Sequence, residues 1–537
     1  MLHLDLVCVA SAKDATLRKL RDLKAVHLDL SSAAGHAVLE AKGAAADAEQ
    51  AVRLIRKARG KSASRVDVRP RSVAEVLALA DDRAKLVEER DRLEREIKIY
   101  SPYGDFDPAL AKKLLDRGID IDDRLPAKLP QMRLSKMLEK LSRVENRINI
   151  DDAKLAMSDD DAIAREFPQL RDKLAFAAAK ELMEEHGAVA AVSGWVPATA
   201  VDKLRAEAAA DGWGVLLREP AADEIPPTLV EPPRLFRPVK VLFDGLGIAP
   251  GYTEADVTVP FMCYFSLFFA MLVGDGAYGA IFLAATLWGW KKTVGRRTPV
   301  VRSWLVLMSV FSTATVIWGL LSNTWFGLQI PWCASWPTVR WLADPSYNNM
   351  MLLCFTIGTS HLMLARVWNG VCRLNSLDCL VEFGWAGVLF FMYFVVNSIV
   401  GIWSGIPAWT FWVFGVSLAM IISKTRGIDL GMLPLNVMGS MGDIISYVRL
   451  FAVGYASLQV AQNFNEMAVA FDLPLWAKAV PALLVLLLGH MLNLALAGLA
   501  VLVHAVRLNT LEFSTHKGLT WSGYGFNPFR KNSQNKE

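Results

Sequence analysis

Arg449 lies inside GDIISYVRLFAVGYASLQVAQNF (442–464), within an apolar stretch running from about Met432 to Phe471. A guanidinium does not lose its proton in proteins, and a charge held at the centre of a bilayer is expensive even on the mildest insertion scales. The residue is more than fifteen positions from either end of its run, too deep for the side chain to snorkel to water. At about 100° per residue, Gln459, Asn463 and Glu466 form a polar stripe near the azimuth of Arg449. On its N-terminal side stand Asn436, Ser440, Asp443 and Ser446. In the last apolar run Asn493, His504 and Arg507 share a face. For His490 and His504 alike, helix packing stands as the alternative to a channel role, and Glu512 reads as an interfacial acid. One physical arrangement fits these residues: two dead-ended aqueous clefts separated by a fixed cation. An ion then crosses only on a carboxylate that moves from one cleft to the other. No acid of this chain stands opposite Arg449 in this reading, so the carrier belongs to another subunit.

The elements that must hold this constellation follow from composition. The chain has 537 residues, 53% of them hydrophobic and 21% charged, with net charge +4 and mean hydropathy +0.29. Charges crowd the part before about residue 245, and apolar runs fill the rest: 258–290, 302–325, 350–367, 380–402, 409–423, 432–471 and 475–513. A polytopic α-helical membrane domain is expected. The run 258–290 is broken at VGDGAYG and reads as two spans or a re-entrant hairpin. Counted as two spans, it leaves Lys291, Lys292, Arg296, Arg297, Arg302, Arg366, Arg373, Lys424, Arg426 and the tail's Lys517, Arg530, Lys531 and Lys536 on one side. The positive-inside rule makes that side cytoplasmic, giving about eight helices, the last two long and tilted, with both termini inside. These basic residues are topology signals, not a nucleic-acid patch. No signal-peptide h-region is evident near Met1. The cysteines at 8, 263, 333, 354, 372 and 379 include no CxxC pair, so they read as buried thiols with no disulfide or metal role.

The first half divides further. LHLDLVCVA (2–10), ATLRKLRDL and AVHLDL (25–30) read as β-α-β, and 188–220 as strand-helix-strand, together one α/β lobe (1–70 and 188–220). Val76, Leu77, Ala80, Ala84, Val87, Leu93 and Ile97 recur at near-heptad spacing, as do Leu134, Leu138, Leu141, Val144, Ile148 and Leu155. They predict an antiparallel coiled-coil arm, 72–100 with 131–186, around a short distal insert at 101–130. The proline-rich stretch 224–238 closes an arm of residues 1–235. Next come a linker with an amphipathic segment (236–257), the transmembrane domain (258–513) and the tail (514–537).

GDIISYVRLFAVGYA resembles the signature of the membrane stator subunit, a or I, of V-type and A/V-type rotary ATPases. HAVRLNTLEF (504–513) resembles its last-helix signature and YGFNPF (524–529) its tail. GYTEADVTVPF (251–261), GDGAYG (274–279), WGLLSNTWFG (318–327), SGWVP (193–197), EIPPT (224–228) and YGDFDP (103–108) match in the family's order. The resemblance implies that Arg449 is the essential arginine facing a rotor and Arg507 the second arginine. It implies as partners the proteolipid c-ring, peripheral stalk subunits E and G, the central-stalk adaptor C/d and, through the stalks, an A3B3 ATPase head. The compact arm and the motifs point to a prokaryotic plasma membrane. Ser457 stands where many eukaryotic members carry histidine, Ala497 where they carry glutamate, and the distal lobe is cut down.

Two other classes compete with a stator. A self-contained secondary transporter places its site at broken helices in two corresponding halves, and only one broken segment, VGDGAYG, is evident. A membrane enzyme would need a reactive motif, and no GxxxxGK[ST], HExxH or GxSxG occurs. The expectation is a non-catalytic chain with no cofactor that passes H+ or Na+.

Overall fold

The computed structural model describes residues 1–30, 33–59, 72–117, 126, 128–156, 160–221, 223–295, 298–331, 335–342, 347–470 and 474–531. Arg296, Arg297, Cys333 and Lys536, named above, lie outside these. The chain forms two compact units, one from Met1–Pro226 with residues 527–531 and one from Pro227–Phe526.

The first unit begins with β1 (Leu2–Val9) and α1 (Lys13–Leu23), followed by the helices α2 (His36–Arg59), α3 (Val73–Tyr100), α4 (Pro108–Asp116), α5 (Leu134–Ala156) and α6 (Asp160–Leu182). It ends with β2 (Glu184–His186), β3 (Val189–Val196), α7 (Val201–Asp211) and β4 (Gly214–Arg218). The sheet is antiparallel, in the order β2-β3-β1-β4. Alternation along β1 buries Leu4, Leu6 and Cys8 on one face, against Leu17 and Leu20 of α1 and Leu204 of α7. Each such leucine contributes roughly 1.5–3 kcal/mol when fully buried. The expected strand at 25–30 is reduced to a single bridge, His27 with Trp195. Both edges of β1 are already filled by β3 and β4, so the segment finds only the free end of β3.

Helices α3 and α5 lie side by side through Leu86, Leu93, Val144 and Ile148. Cross-pairs reinforce them: Arg83 donates to both oxygens of Asp152, at 2.5 and 3.1 Å, and Lys140 meets Glu89 at 2.6 Å. Leu138, expected in the seam, is 49% exposed, and its neighbour Met137 is buried instead. The apolar face is therefore set one residue earlier there than the heptad spacing indicates. Helix α2, inside the segment assigned to the α/β lobe, instead packs Ala48, Ala51 and Ile55 against Val73, Val76 and Leu155.

The second unit contains α8 (Val239–Leu246), α9 (Thr258–Val273), α10 (Gly276–Lys292), α11 (Pro299–Ser322), α12 (Pro337–Leu342), α13 (Asn348–Cys372), α14 (Asp378–Ile399), α15 (Ala408–Ile422), α16 (Ile428–Ile445), α17 (Val448–Val469), α18 (Leu475–Ala500) and α19 (Ser514–Lys517). Among the described residues five helical runs are long and apolar enough to cross a membrane: α11, α13, α14, Leu430–Val469 and Ala479–Lys517. Helices α9 and α10 qualify only as a pair bent by 120°, and α15 is apolar but shorter, with 15 residues. The chain is a multi-pass membrane protein. An eight-span count requires α9, α10 and α15 each to cross separately, although each falls short of the ~20 residues of an unaided span.

Helix α9 is the core of this unit, with Phe261, Phe265, Phe268 and Met271 buried. The break after it is tightly built. Gly274 caps α9 at φ +68°. Asp275 caps α10, its Oδ1 accepting from Ala277 N at 2.8 Å, while its Oδ2 accepts from Gly327 N at 3.0 Å. A Cβ on Gly319 would stand 2.1 Å from the Cα of Gly276, so α10 and α11 touch backbone to backbone. The separately noted GDGAYG and WGLLSNTWFG are thus two sides of one contact. Similarly, Thr228 of EIPPT exchanges backbone hydrogen bonds with Tyr524 and Phe526, and Glu254 accepts from the backbone and hydroxyl of Thr520.

Arg366 and Arg373, counted above as loop charges, both bind the buried Glu382 at 3.1 Å. Of the cysteines, Cys8 and Cys354 are buried, whereas Cys263 and Cys372 are exposed.

Candidate functional site

The long apolar run around Arg449 is not one helix. It breaks at Ser446–Tyr447, between α16 and α17. At the break the Ser446 carbonyl accepts from Arg449 Nε at 2.9 Å, beside a longer backbone bond from Arg449 N at 3.4 Å. Ser446 thus serves the arginine through its backbone, while its hydroxyl bonds back to the Asp443 carbonyl.

Opposite Arg449 stands an acid of the same chain. Arg449 Nη2 donates to Glu512 Oε1 at 2.8 Å. Arg507 Nε approaches that same oxygen at 3.5 Å. Glu512 is buried, with its side chain 7% exposed, against 23% for Arg449 and 55% for Arg507. The expectations of an interfacial Glu512 and of no acid opposite Arg449 are therefore corrected. The cause is local geometry. In a regular α-helix residues five apart are about 140° apart around the axis. Here Val501–Ala505 and Leu508–Phe513 are π-helical, and i→i+5 turns bring Arg507 and Glu512 onto one side. Arg507 consequently has Glu512 as its ion-pair partner, not Asn493 or His504. Asn493 is buried elsewhere, and His504 Nδ1 is buried without a hydrogen-bond partner among the described residues.

Toward the C-terminal end of α17 lies a cavity of about 190 Å³, beginning at Leu450 and lined by polar groups including Ser322, Thr324, Gln329, Tyr455, Gln459 and Gln462. Gln459 is thus beside space, as expected. Asn463 and Glu466 are instead exposed on the helix surface. Next to this region runs a hydrogen-bonded chain that the sequence reading missed apart from Asn493. Ser457 Oγ donates to Asn493 Oδ1 at 3.0 Å, and Asn493 Nδ2 donates to Tyr278 Oη at 3.1 Å. Tyr278 Oη is 2.8 Å from His490 Nδ1, His490 Nε2 is 3.2 Å from Asn465 Oδ1, and Asn465 Nδ2 donates to the Phe326 carbonyl at 2.6 Å. Donors and acceptors alternate consistently if Tyr278 donates to His490, which assigns the neutral histidine its proton on Nε2. Sequence offered one clue, Ser457 at the position where many eukaryotic members of the family it resembles carry histidine.

On the N-terminal side, Asp443 Oδ2 lies 2.9 Å from His516 Nε2, and Arg366 Nε donates to His516 Nδ1 at 3.1 Å. Nδ1 is therefore the acceptor and Nε2 the donor to Asp443. Ser440, expected to line a cleft, is buried and bonded to its own helix at Val437 O. Among the described residues no group of three or more His, Cys, Asp or Glu side chains could hold a metal ion.

The class defined by this geometry is a multi-pass helical membrane protein with an Arg–Glu–Arg cluster, built around the buried Glu512, between two polar regions. The chain is 27% identical to V-type ATP synthase subunit I 1 of Treponema pallidum over 99% of both chains. It is 30% identical to V-type ATP synthase subunit I of Borreliella burgdorferi over 63% of this chain and 60% of that protein. It is 26% identical to A-type ATP synthase subunit I of Methanocaldococcus jannaschii over 64% of this chain and 55% of that one. No family model matches it. The match therefore spans somewhat over half the length of the latter two relatives and nearly all of the first. The chain is a homologue of proteins named subunit I of V-type and A-type ATP synthases.

Proposed function

We propose that this chain is the membrane stator subunit of a V/A-type rotary ATPase. It forms two aqueous half-channels beside a ring of proteolipid c subunits and holds Arg449 between them. Passage of H+ or Na+ on the ring's carboxylates is coupled to ATP hydrolysis or synthesis in an A3B3 head. Its partners in the complex are peripheral stalk subunits E and G, which the N-terminal coiled-coil arm meets, and the central-stalk adaptor C/d. The chain crosses a prokaryotic plasma membrane eight times with both termini in the cytoplasm, and contributes no catalytic site.

The observation that carries this reading is the position of Arg449. It is a permanent cation with a cavity on one side, the Asp443–His516 pair on the other, and a side chain still 23% exposed. Its surface on α17 continues through Ala452 and Ala456, both exposed and small, which lets another helix approach closely. A rotor carboxylate about 4 Å away would be attracted by about 4 kcal/mol at an effective dielectric of ~20, a factor of about a thousand in favour of releasing its ion. The same charge blocks free cations from leaking between the clefts.

A self-contained transporter would need free polar groups at its broken helix. Asp275, the acid at that break, is occupied by Ala277, Tyr278 and Gly327 backbone amides. The test is co-purification. Extracted gently from its own membrane, the chain should bring with it a ring of a small two-helix protein bearing one mid-membrane acid. Ion transport by the chain alone in liposomes would replace this reading with the transporter.

A further inference from the structure

The Arg449–Glu512–Arg507 cluster carries two positive charges and one negative. Buried clusters of this kind are stable when charges are paired and hydrogen bonds complete, and here neither condition is met. Glu512 Oε1 takes both contacts, at 2.8 Å from Arg449 and 3.5 Å from Arg507. Glu512 Oε2 is buried and accepts no hydrogen bond among the described residues. The cluster is one anion short, and the two cations that would receive it are the members with solvent-exposed side chains.

We propose that Glu512 is a positioning residue that holds Arg449 between ion transfers and passes to Arg507 when a carboxylate from outside the chain docks on Arg449. This rests on the stator reading given above, with the visiting carboxylate supplied by the rotor. With the visitor present the cluster has two cations and two anions, each arginine with its own partner. When the visitor leaves, Glu512 returns to Arg449 and keeps the guanidinium from trapping the next carboxylate. The 3.5 Å approach of Arg507 to the oxygen already bound to Arg449 makes this a small movement. The π-turn between the two residues sets that distance.

The consequence is a stall, not a leak. Without the Glu512 charge, Arg449 has no competitor for the rotor carboxylate and retains it. The test uses the intact complex in inverted membrane vesicles, with ATP-driven ion uptake and ATP hydrolysis measured together. E512Q should lower both by about tenfold or more, the scale of a lost close charge pair, and E512D should recover much of both. The double variant R507Q/E512Q restores the cluster's net charge of +1 but still leaves Arg449 without a competitor, so both rates should stay within about threefold of E512Q, a non-additive pair effect. A residue that merely fills space predicts normal rates in the isosteric E512Q, and one that acts only through the cluster's net charge predicts rescue in the double variant. The proposal is overturned if E512Q pumps normally, if its hydrolysis persists while uptake is lost, or if the double variant returns to near wild-type rates. Should E512Q fail to assemble, the double variant alone decides: an assembled complex at about a tenth of wild-type rates or less supports the proposal, and near wild-type rates overturn it. R449A is run beside these: normal pumping by R449A overturns the stator reading itself, whereas loss of pumping in R449A with normal E512Q overturns only the role of Glu512.

Discussion

Arg449 and Arg507 share a carboxylate unequally. Arg449 makes the 2.8 Å hydrogen bond and a second one to the Ser446 carbonyl, while Arg507 makes the looser 3.5 Å approach and remains 55% exposed. Their ranking follows. Removing Arg507 leaves Arg449 with its partner intact, so Arg507→Ala should reduce ATP-coupled transport but leave it measurable. Arg449→Ala should abolish it, because it removes the cation that makes the closer bond to Glu512 between the two polar regions and leaves Glu512 buried beside the weaker partner. Uptake assays on the two complexes at equal assembly check this, and a more severe Arg507→Ala would reverse the order. Arg449 itself was legible in sequence because a charge far inside an apolar run has no ordinary explanation. Glu512 was not, since its meeting with Arg449 depends on a π-turn that α-helical spacing does not anticipate.

The helices around the site are held by contacts that leave no space for side chains. A Cβ on Gly319 would fall 2.1 Å from Gly276 Cα and 2.3 Å from its N, both backbone atoms that cannot rotate away. Gly319→Ala should therefore destabilise the membrane unit by about 1–3 kcal/mol or more, the scale of overpacking, seen as a lower melting temperature in detergent. Gly415→Ala, with nothing within 4 Å of its added Cβ, should be neutral or stabilising by up to about 1 kcal/mol. In the first unit, Arg218 clamps both oxygens of Glu224 at 2.7 and 2.5 Å. That hydrogen bonding lowers the Glu224 carboxyl to about 2. A depressed carboxylate stabilises the fold above its unfolded value, about 4.3, and the gain is lost as pH falls toward 2. Glu224→Gln should melt earlier than wild type at neutral pH, with the gap closing across that window, and a gap independent of pH would refute the assignment. At this scale the strands β1, β3 and β4, the α3–α5 pair and the break at VGDGAYG were readable from period and punctuation, but the break at Ser446–Tyr447 inside the long apolar run was not. The missing strand at 25–30 and the inward turn of Met137 were not, because each was decided by which partner surface remained free.

As a whole molecule the chain has a charged half and an apolar half, and its function depends on which membrane face each loop meets. The expected orientation puts the 291–302 loop in the cytoplasm. Cysteine labelling in whole cells should leave that loop unmodified until the membrane is opened, and labelling from outside would invert the topology. The multi-pass apolar half was the most legible part, since hydropathy and family-like motifs both extend along it. The polar chain from Ser457 through Tyr278 and His490 to Phe326 was hidden, because it joins α10, α17 and α18 across more than two hundred residues of sequence. The central claim is that the charge of Arg449 is the function, and it must be the delocalised, permanent charge of arginine. Lysine is a compact point charge on a flexible stem that loses its proton when desolvated, and it cannot satisfy a carboxylate and the Ser446 carbonyl together as a planar fork does. The most direct measurement is ATP-driven ion uptake by vesicles carrying the Arg449→Lys complex, alongside a pull-down confirming that the stalk and head subunits are present. The account predicts an assembled complex with no uptake, and near-normal uptake would contradict it.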